Sequence, residues 1–299
     1  MNKCLEKIKI GSRASSLAKQ QVKIFRQNLN SLFSKEEIEE KYFKTTGDKV
    51  LDKKLGEFGN KGLFTKEIDE AQLSGKIDLA IHSLKDLPYE LPTGLVIAAY
   101  LKREDYRDAI VLPKKLSLEK LNETSIIGTS SLRREIQIKR LKINVQVKLI
   151  RGNIETRINK VLNGGYDGVI LAMAGLNRLN IRENIIPLNS NQMIPAVGQG
   201  SIAIVARKKD DSLIKMIRKI NDTKTEIESM CERSFLKGYQ GSCNIPLGAL
   251  ALQKNKYIDF IYMVSDIDGS NFRKERIKIN IKSYLDEAYK LGKSIKVDG

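Results

Sequence analysis

Short apolar runs that end in a polar turn and give way to helix-spaced residues recur along this chain, and few folds are open to a chain built that way. Lys7-Ile8-Lys9-Ile10 alternates as a strand and runs into Gly11-Ser12-Arg13, after which Leu17 to Leu29 reads as a helix. The unit returns at Ile77 to Ile81, at Ser125 to Ile127 before a helix from Leu132 to Leu141, and at Val145 to Ile150 before a helix from Ile154 to Leu162. A further apolar run, Gly168 to Ala174, follows the Gly164-Gly165 turn. Strands alternating with helices of this length predict α/β domains with largely parallel sheets.

The chain has 299 residues, more than one hydrophobic core usually supports, so two or three domains are expected. Pro88 and Pro92 precede the apolar run Leu95 to Leu101, and the polar segment from Lys102 to Arg107 marks a domain crossing. The stretch from Asn191 to Gly200, before a strand from Ser201 to Ala206, marks a return crossing. After Asn221 the pattern changes to a helix over 226–238, strands over 246–253, 257–265 and 272–280, and a last helix over 283–292, which reads as a small α+β domain. The expected division is 1–100 with 200–219, then 101–199, then 220–299.

Lys and Arg number 53 against 36 Asp and Glu, a net charge of +17 that favours anionic partners. Nucleic acid is not the expected anion: the lysines are scattered, there is no Trp, and basic residues do not alternate with aromatics in a stripe. The first residues hold no signal-like apolar stretch and nothing approaches the ~20 apolar residues of a membrane span, so a cytoplasmic protein is expected. Cys4, Cys231 and Cys243 cannot all pair, and a single His with scattered Cys predicts no metal site.

Thr129-Ser130-Ser131-Leu132-Arg133-Arg134 sits where a strand ends and a helix begins. Unpaired N–H groups of a helix's first turn, hydroxyl donors and the helix dipole all favour an anion there, and two arginines that oppose the dipole point the same way. The competing reading is that Ser130 or Ser131 caps the helix and the arginines are solvated. Arg151-Gly152-Asn153 with Arg157, and Arg13 with Ser15, repeat the arrangement; Arg178 is a further candidate. Ligands of open α/β sheets gather beyond the carboxyl ends of strands, so such arginines imply a multiply charged anion.

His82-Ser83-Leu84-Lys85-Asp86 invites comparison with a hydrolase triad, but adjacent residues of a strand point to opposite faces, so His82 is read as structural. Asp86 is a carboxylate among cations, able to stabilise developing positive charge or relay a proton. Cys243, in the small-residue turn Gly241-Ser-Cys-Asn-Ile-Pro246, is a candidate nucleophile, while Cys231 reads as a core thiol.

Taken in order, Gly11-Ser-Arg-Ala-Ser-Ser-Leu-Ala18, Gly59-Asn-Lys-Gly-Leu-Phe64, His82-Ser-Leu-Lys-Asp-Leu-Pro88, Gly128-Thr-Ser-Ser-Leu-Arg-Arg134, Arg151-Gly-Asn153, Pro195-Ala-Val-Gly-Gln-Gly200 and Gly241-Ser-Cys-Asn-Ile-Pro246 resemble the hydroxymethylbilane synthase (porphobilinogen deaminase) family over about residues 8–270. The resemblance implies two α/β domains like the lobes of periplasmic binding proteins with a cleft between them, and a small C-terminal α+β domain. It implies a dipyrromethane cofactor in thioether linkage to Cys243, porphobilinogen as substrate, and no metal, in a monomer that binds neither nucleic acid nor membrane. By resemblance Asp86 is the catalytic residue. Lys85, Thr129, Ser131, Arg133 and Arg134 hold the cofactor; Arg13, Ser15, Ser83, Arg151, Arg157 and Arg178 serve the incoming substrate; Lys61 and Phe64 lie in the active-site loop. Glu57 departs from some relatives, which have a lysine there. The alternative reading is a non-catalytic two-lobed anion-binding module.

Overall fold

The computed structural model describes residues 7–29, 38–49, 62–113, 116–141, 144–241 and 245–295. Along the chain come β1 (Ile8–Arg13), α1 (Ser16–Leu29), β2 (Ile38–Phe43), α2 (Thr46–Lys49), α3 (Lys66–Leu73), β3 (Leu79–Ser83) and β4 (Leu95–Leu101). Next are β5 (Asp108–Val111), β6 (Ile126–Gly128), α4 (Leu132–Arg140), β7 (Gln146–Lys148), α5 (Ile154–Leu162), β8 (Gly168–Ala172), α6 (Met173–Arg178) and β9 (Ile185–Leu188). The chain then forms β10 (Ile202–Arg207) and α7 (Asp211–Ile217), and ends with α8 (Thr223–Tyr239), β11 (Leu247–Gln253), β12 (Tyr257–Val264), β13 (Arg273–Asn280) and α9 (Tyr284–Ile295).

The described residues divide into two compact units, one from 7–29, 38–49, 62–103 and 201–226, the other from 104–113, 116–141, 144–200, 227–241 and 245–295. The first unit holds a five-stranded sheet in the order β2-β1-β3-β10-β4. The second holds a five-stranded sheet in the order β7-β6-β8-β5-β9 and a three-stranded antiparallel sheet, β11-β12-β13. The two larger sheets share one plan. In each, the second strand in that order, β1 or β6, pairs in parallel with both its neighbours, and the fourth strand, β10 or β5, runs antiparallel to the strands on both its sides.

The sheets are thus mixed rather than largely parallel, and the exception has a cause in connectivity. The antiparallel strand, β10 or β5, follows a crossing segment and not a helix of its own lobe, so no βαβ crossover dictates its direction. Edge strands β2 and β9 and the short β5 do not stand out in the sequence. Ile38-Glu-Glu-Lys-Tyr-Phe43 is half-buried and charged, as edge strands are. The final helices and the C-terminal strands lie within a few residues of their expected positions.

In the first unit α1 buries Ala18, Gln21, Val22, Phe25 and Leu29, a stripe at helical spacing, against Ile10, Leu79, Ile81, Ile202 and Ile204. Truncating wholly buried Phe25 to Ala would cost about 3–5 kcal/mol. In the second unit α5 covers one face of the sheet and α4 the other. The outer face of α4 shares a core with the C-terminal sheet through Ile136, Ile194, Leu250, Ile261 and Met263. No helix among the described residues is long and apolar enough to cross a membrane.

Candidate functional site

In the first unit the expected residues gather where β1 and β3 end. Ser83 closes β3, and a single 3-10 turn over Leu84–Asp86 carries Lys85 and Asp86 off the strand end. Arg13, the last residue of β1, brings its Nη1 to 3.5 Å from Asp86 Oδ2, and both side chains remain about one quarter exposed. The Arg13 guanidinium also lies 4.5 Å from the centre of the Phe64 ring.

Two hydroxyls beside this pair are already used as acceptors. Ser83 Oγ accepts from Gln21 Nε2 at 2.7 Å, and Ser15 Oγ accepts from the Ala18 N–H at 3.3 Å. A hydroxyl that accepts has its own proton left to donate, which suits an anion. Gln21, which holds the Ser83 hydroxyl, is not among the residues that the sequence singles out. Its signal is a polar side chain on the apolar face of α1.

His82 is buried, and its Nε2 finds no partner among the described residues. Burial first, and the Arg13 charge second, push its pKa from 6.5 down to about 4, so it stays neutral near pH 7. Among the described residues no hydrogen bond joins His82 to Ser83 or Asp86, whose side chains engage Gln21 and Arg13.

In the second unit α4 and α5 start differently. Asn153 caps α5, its side chain accepting from the Thr156 N–H at 2.9 Å. Ser131 stands at the corresponding place before α4 with extended backbone but makes no side-chain cap hydrogen bond. The first-turn N–H groups of α4 and the Ser131 hydroxyl are therefore open to a bound anion in a way that those of α5 are not. Buried Thr129 supports the turn, its Oγ1 accepting from the Ser131 N–H at 3.2 Å.

Arg133 and Arg134 are not solvated, and they already share an anion. Arg134 Nε and Nη2 donate to Asp108 Oδ1 at 3.0 and 2.7 Å, and Arg133 Nη1 donates to Asp108 Oδ2 at 2.7 Å. Burial pulls the Arg134 pKa below the usual guanidinium value, while Asp108 opposes the fall. Two guanidiniums against one carboxylate leave this end of α4 net positive.

The other arginines stand on separate segments. Arg157 Nε donates to the Gly152 carbonyl at 2.7 Å. Gly152 has φ +115°, and a Cβ there would meet Thr156 Cγ2 at 2.7 Å, so the bend between Arg151 and Asn153 requires glycine. Arg178 donates from Nη2 to the Gly200 carbonyl at 2.7 Å, and its Nε has no hydrogen-bond partner among the described residues. Burial lowers its pKa to about 10. Lys61, Glu57 and Cys243 lie outside the described residues.

These features fit a carboxylate-bearing cofactor: an uncapped nine-residue helix, a hydroxyl unused by the protein, and a buried net positive cluster. The same chemistry emerges from comparison with known proteins. The family description "Porphobilinogen deaminase, dipyromethane cofactor binding domain" matches residues 8–215, and "Porphobilinogen deaminase, C-terminal domain" matches residues 226–298. Porphobilinogen deaminase of Alkaliphilus metalliredigens is 43% identical over 96% of this chain and 92% of its own. That of Nitratiruptor sp. is 41% identical over 97% and 93%, and that of Bacillus cereus 43% identical over 91% and 89%. Among solved structures, an ancestral cationic amino acid solute binding protein aligns with 72% of this chain and 88% of its own at 12% identity and a TM-score of 0.44, too distant a likeness to add to the strand orders. Full-length relatives at this identity set aside a non-catalytic anion-binding module, and the chain belongs to the porphobilinogen deaminase family, transferases that work with a dipyrromethane cofactor.

Proposed function

We propose that the strand ends of each lobe bind the acidic pyrroles of the family's reaction, with Asp86 as the catalytic carboxylate and Cys243 as the point of attachment of the cofactor. When bound, dipyrromethane supplies the pyrrole carbon onto which porphobilinogen units are joined with loss of ammonia, before hydrolysis frees linear hydroxymethylbilane. The observation that carries the assignment of Asp86 is its pairing with Arg13 at 3.5 Å, with both side chains still partly exposed. A carboxylate so placed can stabilise positive charge at a pyrrole nitrogen and relay a proton while remaining within reach of the ligand.

Lys85, Thr129, Ser131, Arg133 and Arg134 are assigned to the cofactor's carboxylates, supported by the open first turn of α4. Arg13, Ser15, Ser83, Arg151, Arg157 and Arg178 are assigned to the acetate and propionate of the incoming ring. Phe64, whose ring lies against the Arg13 guanidinium, is assigned with Lys61 to the active-site loop. In this reading the division is 1–100 with 200–219, 101–199 and 220–299, and the enzyme works as a cytoplasmic monomer.

The test is the denatured intact mass of the purified protein beside its Cys243→Ser variant. An excess equal to two porphobilinogens less two ammonias in the parent, absent from the variant, is expected. A parent that stays unmodified after incubation with porphobilinogen would overturn attachment at Cys243.

A further inference from the structure

One buried carboxylate has no part in the reaction as assigned above. Asp108 opens β5 and has no exposed surface. Its Oδ1 accepts from Arg134 Nε at 3.0 Å, Arg134 Nη2 at 2.7 Å and Gln199 Nε2 at 3.1 Å, and its Oδ2 accepts from Arg133 Nη1 at 2.7 Å. A carboxylate offers about four lone-pair sites, so this group is committed inside the protein and is no ligand for a substrate.

Its neighbours in β5, Ala109, Ile110 and Val111, are all buried and apolar, and an apolar residue here would avoid the desolvation penalty of an ion. What the ion supplies instead is geometry and charge. Both Arg134 contacts fall on one oxygen and fix the plane of its guanidinium, while Arg134 Nη1 reaches the Ile170 carbonyl at 2.8 Å. Arg133 Nη1 is held a second time by the Ile194 carbonyl at 2.6 Å. Gln199 also donates to the Tyr106 carbonyl at 2.8 Å, which ties the cluster to both crossing segments of the unit. Without the carboxylate, adjacent guanidiniums on α4 would repel and swing apart. With it, a fixed net positive cluster sits beside the uncapped first turn of the helix.

We propose that Asp108 is a positioning residue for cofactor acquisition: it sets the planes and net charge of Arg133 and Arg134, so that the start of α4 presents a rigid anion site to the carboxylates of dipyrromethane. Asp108 does not touch the cofactor. The inference rests on the assignment of Arg133 and Arg134 to those carboxylates.

The experiment follows the rate at which chain made in a host lacking porphobilinogen gains cofactor mass on incubation with it, for the parent, Asp108→Asn, Arg134→Lys and Ile138→Ala. Asn is isosteric with Asp and leaves no cavity; Ile138, wholly buried in the core of the same lobe, is the control for destabilisation alone. All are compared well below their thermal midpoints, with folding checked by circular dichroism. Asp108→Asn is expected to load at least about tenfold more slowly than the parent, the scale seen when a group that orients a binding side chain is removed. Ile138→Ala should load at the parental rate. Parental loading by folded Asp108→Asn, or equal slowing in Ile138→Ala, would overturn the proposal. If Arg134→Lys loads normally, the arginine assignment itself fails; if it is slow while Asp108→Asn is normal, only the role of Asp108 fails. Should Asp108→Asn not fold, Asp108→Glu, which keeps the charge but moves the carboxylate by one methylene, is read in the same assay against the same outcomes.

Discussion

Asp86 and His82 stand four residues apart on one strand end, and their surroundings give them opposite tasks. Asp86 stays partly exposed beside Arg13, where it can meet a ligand. Asp86→Asn is expected to retain the cofactor mass excess while turnover falls by at least ~10²-fold, as when a positioned acid–base group is lost; turnover near the parental rate would remove it from catalysis. His82 is buried and neutral, with a folded pKa of about 4 against an ordinary 6.5. The unfolded chain therefore takes up this proton first as the pH falls. The stability tied to His82 is fully present above about pH 6.5 and is lost toward pH 4, by about 3 kcal/mol in all. In urea unfolding, the stability difference between the parent and His82→Gln should shrink by up to that amount between pH 7 and pH 4, and a constant difference would show that His82 does not titrate on unfolding. The motif around these residues was legible in the sequence. That Asp86 pairs with Arg13 rather than its neighbour Lys85 was not, because Arg13 comes from another strand.

Among the elements, α4 and α5 follow strands in the same way, and in the sequence both looked like open anion sites. The structure separates them: Asn153 closes the start of α5, and Ser131 leaves the start of α4 uncapped. Asn153→Ala should lower unfolding free energy by about 1 kcal/mol without changing cofactor loading. Ser131→Ala should change stability by less than about 0.5 kcal/mol and slow loading instead. Paired urea titrations and intact-mass time courses check both; the reverse pattern would mean that Ser131 is the structural cap. Element boundaries in the C-terminal domain were readable because its strand runs are bounded by turn residues such as Asp268-Gly269. The edge strand Ile38–Phe43 was not, because a strand exposed along one side carries charges that blur its period.

For the whole molecule, the segment that returns from the second lobe is held by side chains distant in sequence. Ile194 exchanges two hydrogen bonds with the Gln137 amide, at 2.7 and 3.0 Å. The Pro195 carbonyl accepts from the Ala249 N–H at 3.1 Å on the outer edge of β11. Further along that edge, Ala251 and Gln253 N–H groups donate to buried Glu232 and Glu228, one helical turn apart on α8. Glu232 also accepts from the Gly198 N–H at 2.7 Å, where φ of +72° favours glycine. The sheet edge is thereby closed and the return segment fastened to the C-terminal domain. Glu232→Leu would strand two buried N–H groups and should cost about 2–5 kcal/mol in guanidinium unfolding; a loss under about 1 kcal/mol would show that water or backbone movement replaces the carboxylate. By itself the sequence determined the α/β lobes, the C-terminal α+β domain, the candidate residues and the family, since these rest on local periodicity and on contiguous motifs. Only the tertiary structure decided that each larger sheet is mixed, that Arg133 and Arg134 close on Asp108, that Gln21 sets the Ser83 hydroxyl, and that Glu232 fastens the return segment. Each of these depends on partners far apart along the chain, whose meeting is fixed by packing and by the need to satisfy buried polar groups rather than by any local pattern.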